Sequence, residues 1–322
     1  MTIPETLIDA ATLAALPAGA VLVVDCRFEL ADVEAGARAY RAGHVPGAVY
    51  ANLDRDLSDQ SRTAQGLGRH PLPSAAAFRA TLQRWGWRRG LPVVAYDGHF
   101  GAIGAARLWW MLGTFGQPAA VLDGGWQAWV AAGLPQATGA TPGAMFPDAA
   151  ASGRHFDAVA SGQDFAAAAI VYTDALRQQL AAGSVCLIDA RATERYRGEV
   201  EPLDPVAGHI PGAGNRPYAQ NLQADGRFKP ADQLRAEWLA LLGDATPASV
   251  VHSCGSGVSA CHNLLAMEHA GRAARACTRR RGAAGSAIPS GRWRGDEVAV
   301  ADNQVVGWLC SAEAKPPYTQ KI

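Results

Sequence analysis

The 322-residue chain carries 29 Lys and Arg against 29 Asp and Glu, a formal net charge of zero. That length has room for two domains of about 150 residues each, and the charge balance leaves no basic field to draw nucleic acid or an anionic membrane, so a small-molecule partner is expected. Six cysteines, Cys26, Cys186, Cys254, Cys261, Cys277 and Cys310, are scattered with no Cys-x-x-Cys pair and no metal-ligand spacing, which argues for reduced thiols in a reducing compartment; no metal or other cofactor is expected.

In chain order, the opening Met1-Thr2-Ile3-Pro4-Glu5 lacks a basic region followed by an apolar core, and no apolar run approaches a membrane span; a cytoplasmic location is the expectation. A helix is predicted at about 9–16, then a strand in Val21-Leu22-Val23-Val24-Asp25-Cys26-Arg27, then a turn in Gly43-His44-Val45-Pro46-Gly47-Ala48. The series returns as a helix at about 173–182, Val185-Cys186-Leu187-Ile188-Asp189-Ala190-Arg191, and Gly208-His209-Ile210-Pro211-Gly212-Ala213. Two copies of one unit are present. Continuous apolar strands alternate with helical segments in each, so the fold class is α/β, with parallel sheets covered by helices on both faces. Residues 137–170 are rich in Ala, Gly and Pro with little periodicity and read as a linker. The expected domains are 1–150, with a core at about 18–136, and 151–322, with a core at about 172–271.

Within the first copy, Leu91-Pro92-Val93-Val94-Ala95-Tyr96 forms a strand ending at Asp97-Gly98. The apolar helix Ala105-Ala106-Arg107-Leu108-Trp109-Trp110-Met111-Leu112 follows and reads as core packing; a fifth strand at 119–122 then runs into a helix bearing Trp126 and Trp129. In the second copy the corresponding run is Ser249-Val250-Val251-His252-Ser253-Cys254-Gly255-Ser256-Gly257-Val258-Ser259-Ala260-Cys261. Successive amides in such a tight loop form a nest, and the following helix adds the positive end of its dipole. Both favour the thiolate of Cys254, which makes it a candidate nucleophile. The alternative is a buried core cysteine ahead of a glycine turn.

The run Cys254 to Ser259, together with His209-Ile210-Pro211-Gly212-Ala213 and Asp189-Ala190-Arg191, resembles the catalytic domain of the rhodanese family in its 3-mercaptopyruvate/thiosulfate sulfurtransferase branch. The resemblance implies a persulfide mechanism, in which Cys254 takes a sulfane sulfur from a small anionic donor and hands it to cyanide or a thiol, including a thioredoxin-like one. Gly255, Gly257, Val258 and Ser259 then line the substrate loop. A Cys-x5-Arg phosphatase loop needs an arginine at position 260 to clamp phosphate, and the chain has Ala260. Aspartate in place of cysteine at 97 implies a catalytically silent first domain, because a carboxylate cannot carry sulfane sulfur.

By motif position, Asp54 and His70 match a family pair on the first domain that relays a proton with Ser256. A histidine titrating near neutrality draws the thiol proton through the serine, and the carboxylate holds its tautomer; the plainer reading is two solvated loop residues. Asp189 and His209 read as structural, fixing strand end and turn. Arg195 matches the substrate-clamping arginine, since a guanidinium fork suits a carboxylate. A second family arginine, expected after Glu-Pro, is missing from Glu201-Pro202-Leu203-Asp204, and Ser256 stands where a thiosulfate-type loop carries a basic residue; the donor stays open. A non-catalytic rhodanese-like protein that binds a thiol partner is the alternative function.

The repeat also makes a forecast that the chain does not meet. Trp126 lies 29 positions beyond Asp97, which places a tryptophan near 283, yet residues 271–286 are an Arg/Gly/Ala mixture without strand or helix character. Read one base out of frame with CGN arginine codons, Ala276 to Thr278 permit Leu-Tyr and Gly282 to Gly285 permit Trp-Ser-Gly-Trp, the pattern of the first copy. A frameshift near residue 271 is therefore expected, with the second domain incomplete beyond it and an aberrant tail at 272–322.

Overall fold

The computed structural model describes residues 3–65, 67–139, 165 and 170–271, with the backbone of one further strand at 306–309. The first domain contains β1 (Leu7–Ile8), α1 (Ala10–Ala14), β2 (Leu22–Asp25), α2 (Ala35–Ala42), β3 (Val49–Tyr50), α3 (Ala75–Arg84), β4 (Val93–Tyr96), α4 (Ala105–Thr114), β5 (Ala119–Leu122) and α5 (Gly125–Ala131). Its sheet runs β1-β5-β4-β2-β3, all parallel. Every residue of β2, β4 and β5 is buried, which is why these strands read as unbroken apolar runs rather than alternating ones. Local caps fix where the helices start: the Asp9 carboxylate accepts the Thr12 N–H ahead of α1, and the Ser74 hydroxyl accepts the Ala77 N–H ahead of α3.

The second domain contains β6 (Ile170–Tyr172), α6 (Thr173–Ala181), β7 (Cys186–Asp189), α7 (Thr193–Arg197), β8 (Gly214–Asn215), α8 (Ala231–Leu242), β9 (Val250–Ser253), α9 (Val258–His269) and β10 (Val306–Leu309). Its order, β6-β10-β9-β7-β8, repeats the first sheet position by position. The anchoring contacts repeat as well. Arg27 and Arg191 pair with Asp25 and Asp189 at 2.6 and 2.7 Å and donate to the carbonyls of Gly43 and Gly208. His44 stacks on Tyr40 at 4.0 Å and His209 on Tyr196 at 3.7 Å. Asp189 and His209 therefore do the structural work expected of them, in matching places.

One expectation is corrected. The second sheet has a fifth strand: β10 lies between β6 and β9, pairing antiparallel with both, where the first domain has the parallel β5. The physical reason is that an empty lane would leave two rows of backbone N–H and C=O groups unpaired inside a sheet, at about 1–3 kcal/mol for each buried group. A segment of either direction satisfies both rows. The strand begins at residue 306, 52 positions after Cys254, whereas β5 begins at 119, 22 after Asp97. The aberrant stretch at 272–305 lies outside the described residues.

Helices α4 and α9, which follow the two equivalent loops, pack on each other, and one apolar cluster containing Leu108, Met111, Cys261 and Leu265 joins the domains. The first sheet takes in β1, ahead of the expected core start at 18. Phe165 packs with Phe78, Trp110 and Phe115, so the chain still belongs to the first core at that point; the boundary near 150 lies outside the described residues.

Candidate active site

Topology puts Asp97 and Cys254 at equivalent places, each the first residue after the strand beside the inserted one. Asp97 shows what such a loop does. Its carboxylate accepts five backbone N–H groups, from His99 and Gly101 at 2.8 Å, Gly104 at 3.0 Å, Ala105 at 3.1 Å and Ile103 at 3.2 Å. The loop is an anion nest filled by its own side chain. In the second domain Cys254 is half-buried and packs against the core. Three residues lead from it to α9, which begins at Val258. Gly257 makes that turn at φ 74°, a left-handed conformation that favours glycine. Val258 and Ser259 are the first helical residues, whose N–H groups have no intrahelical acceptor. Burial pushes the other described thiols, Cys26, Cys186 and Cys261, above the usual range.

Asp54 and His70 come together: the imidazole Nε2 lies 3.2 Å from Asp54 Oδ1. The titration expected of His70 is corrected. Burial, with the charges of Arg107 and Arg69, pushes its pKa down to about 3, so at neutral pH it is an uncharged ring. The contact with Asp54 is one of distance, without an aligned hydrogen bond, and Nδ1 is buried with no hydrogen-bond partner among the described residues. Burial raises the pKa of Asp54, against the effect of Gln60 and Arg55.

Arg107, on α4, joins the two loops of the site, a link that the reading of this helix as core packing missed. It is fully buried, and its guanidinium donates to three backbone carbonyls: Leu57 at 3.1 Å, His70 at 2.7 Å and Ser256 at 3.3 Å. The first two belong to the loops that carry Asp54 and His70; the third belongs to the Cys254 loop. One side chain thus sets the spacing between the first-domain pair and Ser256. Burial lowers its pKa to about 10, which leaves it charged at neutral pH. The signal was present in the sequence, since a fully buried arginine requires partners, and here one arginine sits within an apolar helix.

Arg195 does not present an open fork. It donates to Glu201 at 2.6 Å and to Asp204 at 2.7 Å. Arg191 reaches Glu201 at 3.3 Å, and Arg69 Nε lies 3.0 Å from Asp204 Oδ1 without an aligned hydrogen bond, an electrostatic contact only. The group borders the Cys254 loop: a Cβ on Gly255 would stand 2.5 Å from Asp204 Oδ2 and 2.6 Å from Arg69 Nη2. Glycine at 255 is what lets these charges approach.

A profile of the rhodanese-like domain matches residues 9–132. A Pseudomonas aeruginosa protein named "Probable 3-mercaptopyruvate sulfurtransferase" is 45% identical over 256 residues, 78% of this chain and 84% of that protein. The human 3-mercaptopyruvate sulfurtransferase is 33% identical over 71% of this chain and 72% of its own length. Among solved structures, the 3-mercaptopyruvate sulfurtransferase of Leishmania major superposes with a TM-score of 0.68 at 32% identity, covering 83% of this chain and 70% of that one. SseA of Escherichia coli gives 0.66 at 27%, covering 84% and 95%. With two sheets of one strand order and a cysteine at the loop that the first domain fills with aspartate, the chain belongs to the tandem-domain sulfurtransferases of the rhodanese family.

Proposed function

We propose that the protein moves a sulfane sulfur from thiosulfate or 3-mercaptopyruvate to cyanide or a thiol through a persulfide on Cys254. The thiolate attacks the outer sulfur of thiosulfate, the S–S bond breaks, and sulfite leaves with the electron pair. With mercaptopyruvate the C–S bond breaks instead, and the enolate left behind takes up a proton to become pyruvate. An acceptor thiolate or cyanide then attacks the outer sulfur of the persulfide and releases the Cys254 thiolate. Throughout the cycle the loop has to hold an anionic sulfur.

The observation that carries this reading is the nest around Asp97, where five N–H groups converge on one anion at the topological place that Cys254 holds in the second domain. Asp54, His70 and Ser256 form the relay side of the cleft, with Arg107 setting their spacing. Because protonation of His70 is opposed by burial and two guanidinium groups, the ring serves as a hydrogen-bonding neighbour of the reacting groups and holds a proton only transiently. The reaction needs no cofactor. Steady-state assays test the reading: thiocyanate from thiosulfate and cyanide, and pyruvate from mercaptopyruvate, are both expected and both vanish in Cys254→Ser. Turnover that survives the substitution overturns it.

The frameshift near residue 271 belongs to the same proposal. It is supported by the permitted Trp-Ser-Gly-Trp reading and by the reversed direction and late position of β10. Sequencing the gene between the codons for His269 and Arg279 tests it. Restoring the frame is expected to raise activity well above that of the chain as it stands, and an intact frame in the native gene refutes it.

A further inference from the structure

Beside Gly255, one residue after Cys254, lies a largely buried ring of charges that the sulfur-transfer chemistry does not by itself require. Arg69, Arg191 and Arg195 are matched by Asp189, Glu201 and Asp204, so the cations arrive already neutralised. Asp189 and Glu201 have structural work: the first pairs with Arg191 as Asp25 does with Arg27, and the second accepts the N–H groups of Leu203 and Asp204 and so shapes their loop. Asp204 has no such task. Its carboxylate is held by Arg195 at 2.7 Å and Arg69 at 3.0 Å, with Arg191 at 3.9 Å, where a Cβ on Gly255 would stand 2.5 Å from it and one residue from the nucleophile. A carboxylate among three guanidinium groups beside the Cys254 loop has the position and chemistry of an anionic donor's own carboxylate.

We propose that Asp204 is a specificity-determining residue: a built-in carboxylate that occupies the anion clamp, which a donor must displace from the guanidinium groups and beside which it must then sit. This rests on the reading of Cys254 as the nucleophile. The displaced carboxylate stays tethered within a few ångströms, so repulsion grows with donor charge. A singly charged 2-oxo acid is tolerated, and a doubly charged thiosulfate is disfavoured. Arg69 and Arg195 recognise the donor; Asp204 sets how much negative charge it carries.

Asp204→Asn keeps the shape and removes the charge. Its kcat/KM is expected to rise about tenfold or more for thiosulfate and by a smaller factor for mercaptopyruvate, mostly through KM, with the gain shrinking as salt screens the cleft. Asp204→Glu keeps the parent's preference. A second readout needs no sulfur transfer: alkylation of Cys254 by anionic iodoacetate relative to neutral iodoacetamide. That ratio is expected to rise severalfold in Asp204→Asn and in Asp204→Ser and to stay put in Asp204→Glu. Equal ratios in all four proteins overturn the assignment of Asp204. Absence of sulfur transfer in every protein, with the alkylation ratios shifted as expected, refutes the sulfurtransferase reading and leaves Asp204 as the charge filter of the cleft.

Discussion

The two strand-to-helix loops at the heart of the domains start from one sheet topology and diverge in what fills them. The Asp97 loop runs seven residues before α4 begins at 105, long enough to close over its own carboxylate with five N–H groups. The Cys254 loop reaches α9 in three residues and borders a cleft of guanidinium groups and carboxylates from both domains. The first anion is permanent and structural; in the proposed reaction the second is made and unmade on the sulfur of Cys254. On the proposed reading a tandem repeat keeps the geometry twice and the chemistry once, with the first copy supplying Asp54, His70, Arg69 and Arg107 on the side facing the Cys254 loop.

The largest effect is expected at the nucleophile. Cys254→Ser should lower transfer by more than about a thousandfold while leaving the unfolding temperature close to the parent's; a matching loss of stability would make Cys254 a packing residue. At the other loop, Asp97→Ala orphans five donors, three of them buried, and is expected to cost about 3–5 kcal/mol in urea unfolding, with Asp97→Asn milder. If Asp97→Ala is neutral, the two loops are not the same device.

The wall between them is probed through Arg107. Arg107→Met leaves three buried carbonyls without a donor, at about 2–4 kcal/mol, and should lower kcat more than it raises KM, because it loosens Ser256 and His70 without touching the donor. Arg107→Lys is expected to recover part of the stability but not the three-way spacing, since a point-like ammonium cannot reproduce the fork.

Much of this was legible beforehand, and the exceptions share a cause. The Asp-x-Arg and His-x-Pro-Gly repeats announced both sheets because each encodes a local contact, Arg191 to Asp189 or His209 to Tyr196, that needs nothing distant. Arg107 was hidden because its partners, Leu57, His70 and Ser256, are far away in sequence. Asp204 was visible as a missing arginine, not as the group that fills the clamp. The depressed pKa of His70 arises from burial and two arginines, a product of tertiary packing alone. The strand at 306–309 escaped notice because its sheet position comes from an available lane and not from its place in the repeat.

Acid should expose a feature common to both domains. Burial depresses His70 and His252 to about 3 and His262 to about 4. Between these values and the ordinary pKa near 6.5, the unfolded chain binds more protons than the folded one, so their contribution is fully present above about pH 6.5 and is lost as pH falls. At pH 5 this amounts to at most about 2 kcal/mol per histidine, and the unfolding temperature is expected to drop between pH 6.5 and 5. A flat profile would mean that these rings take up protons in the folded state.

The smallest effect is expected at Arg195. Because Glu201 and Asp204 already hold its fork, Arg195→Ala should raise KM for an anionic donor only severalfold and leave iodoacetamide alkylation of Cys254 unchanged. Equal loss of both would mean that the arginine supports the loop and not the donor.

The most direct test of the central claim is mass spectrometry of the protein after exposure to donor without acceptor. One added sulfur is expected on the peptide containing Cys254, removed on adding cyanide and absent in Cys254→Ser. Sulfur found instead on Cys26, Cys186 or Cys261, or transfer with no sulfur retained on Cys254, would contradict it.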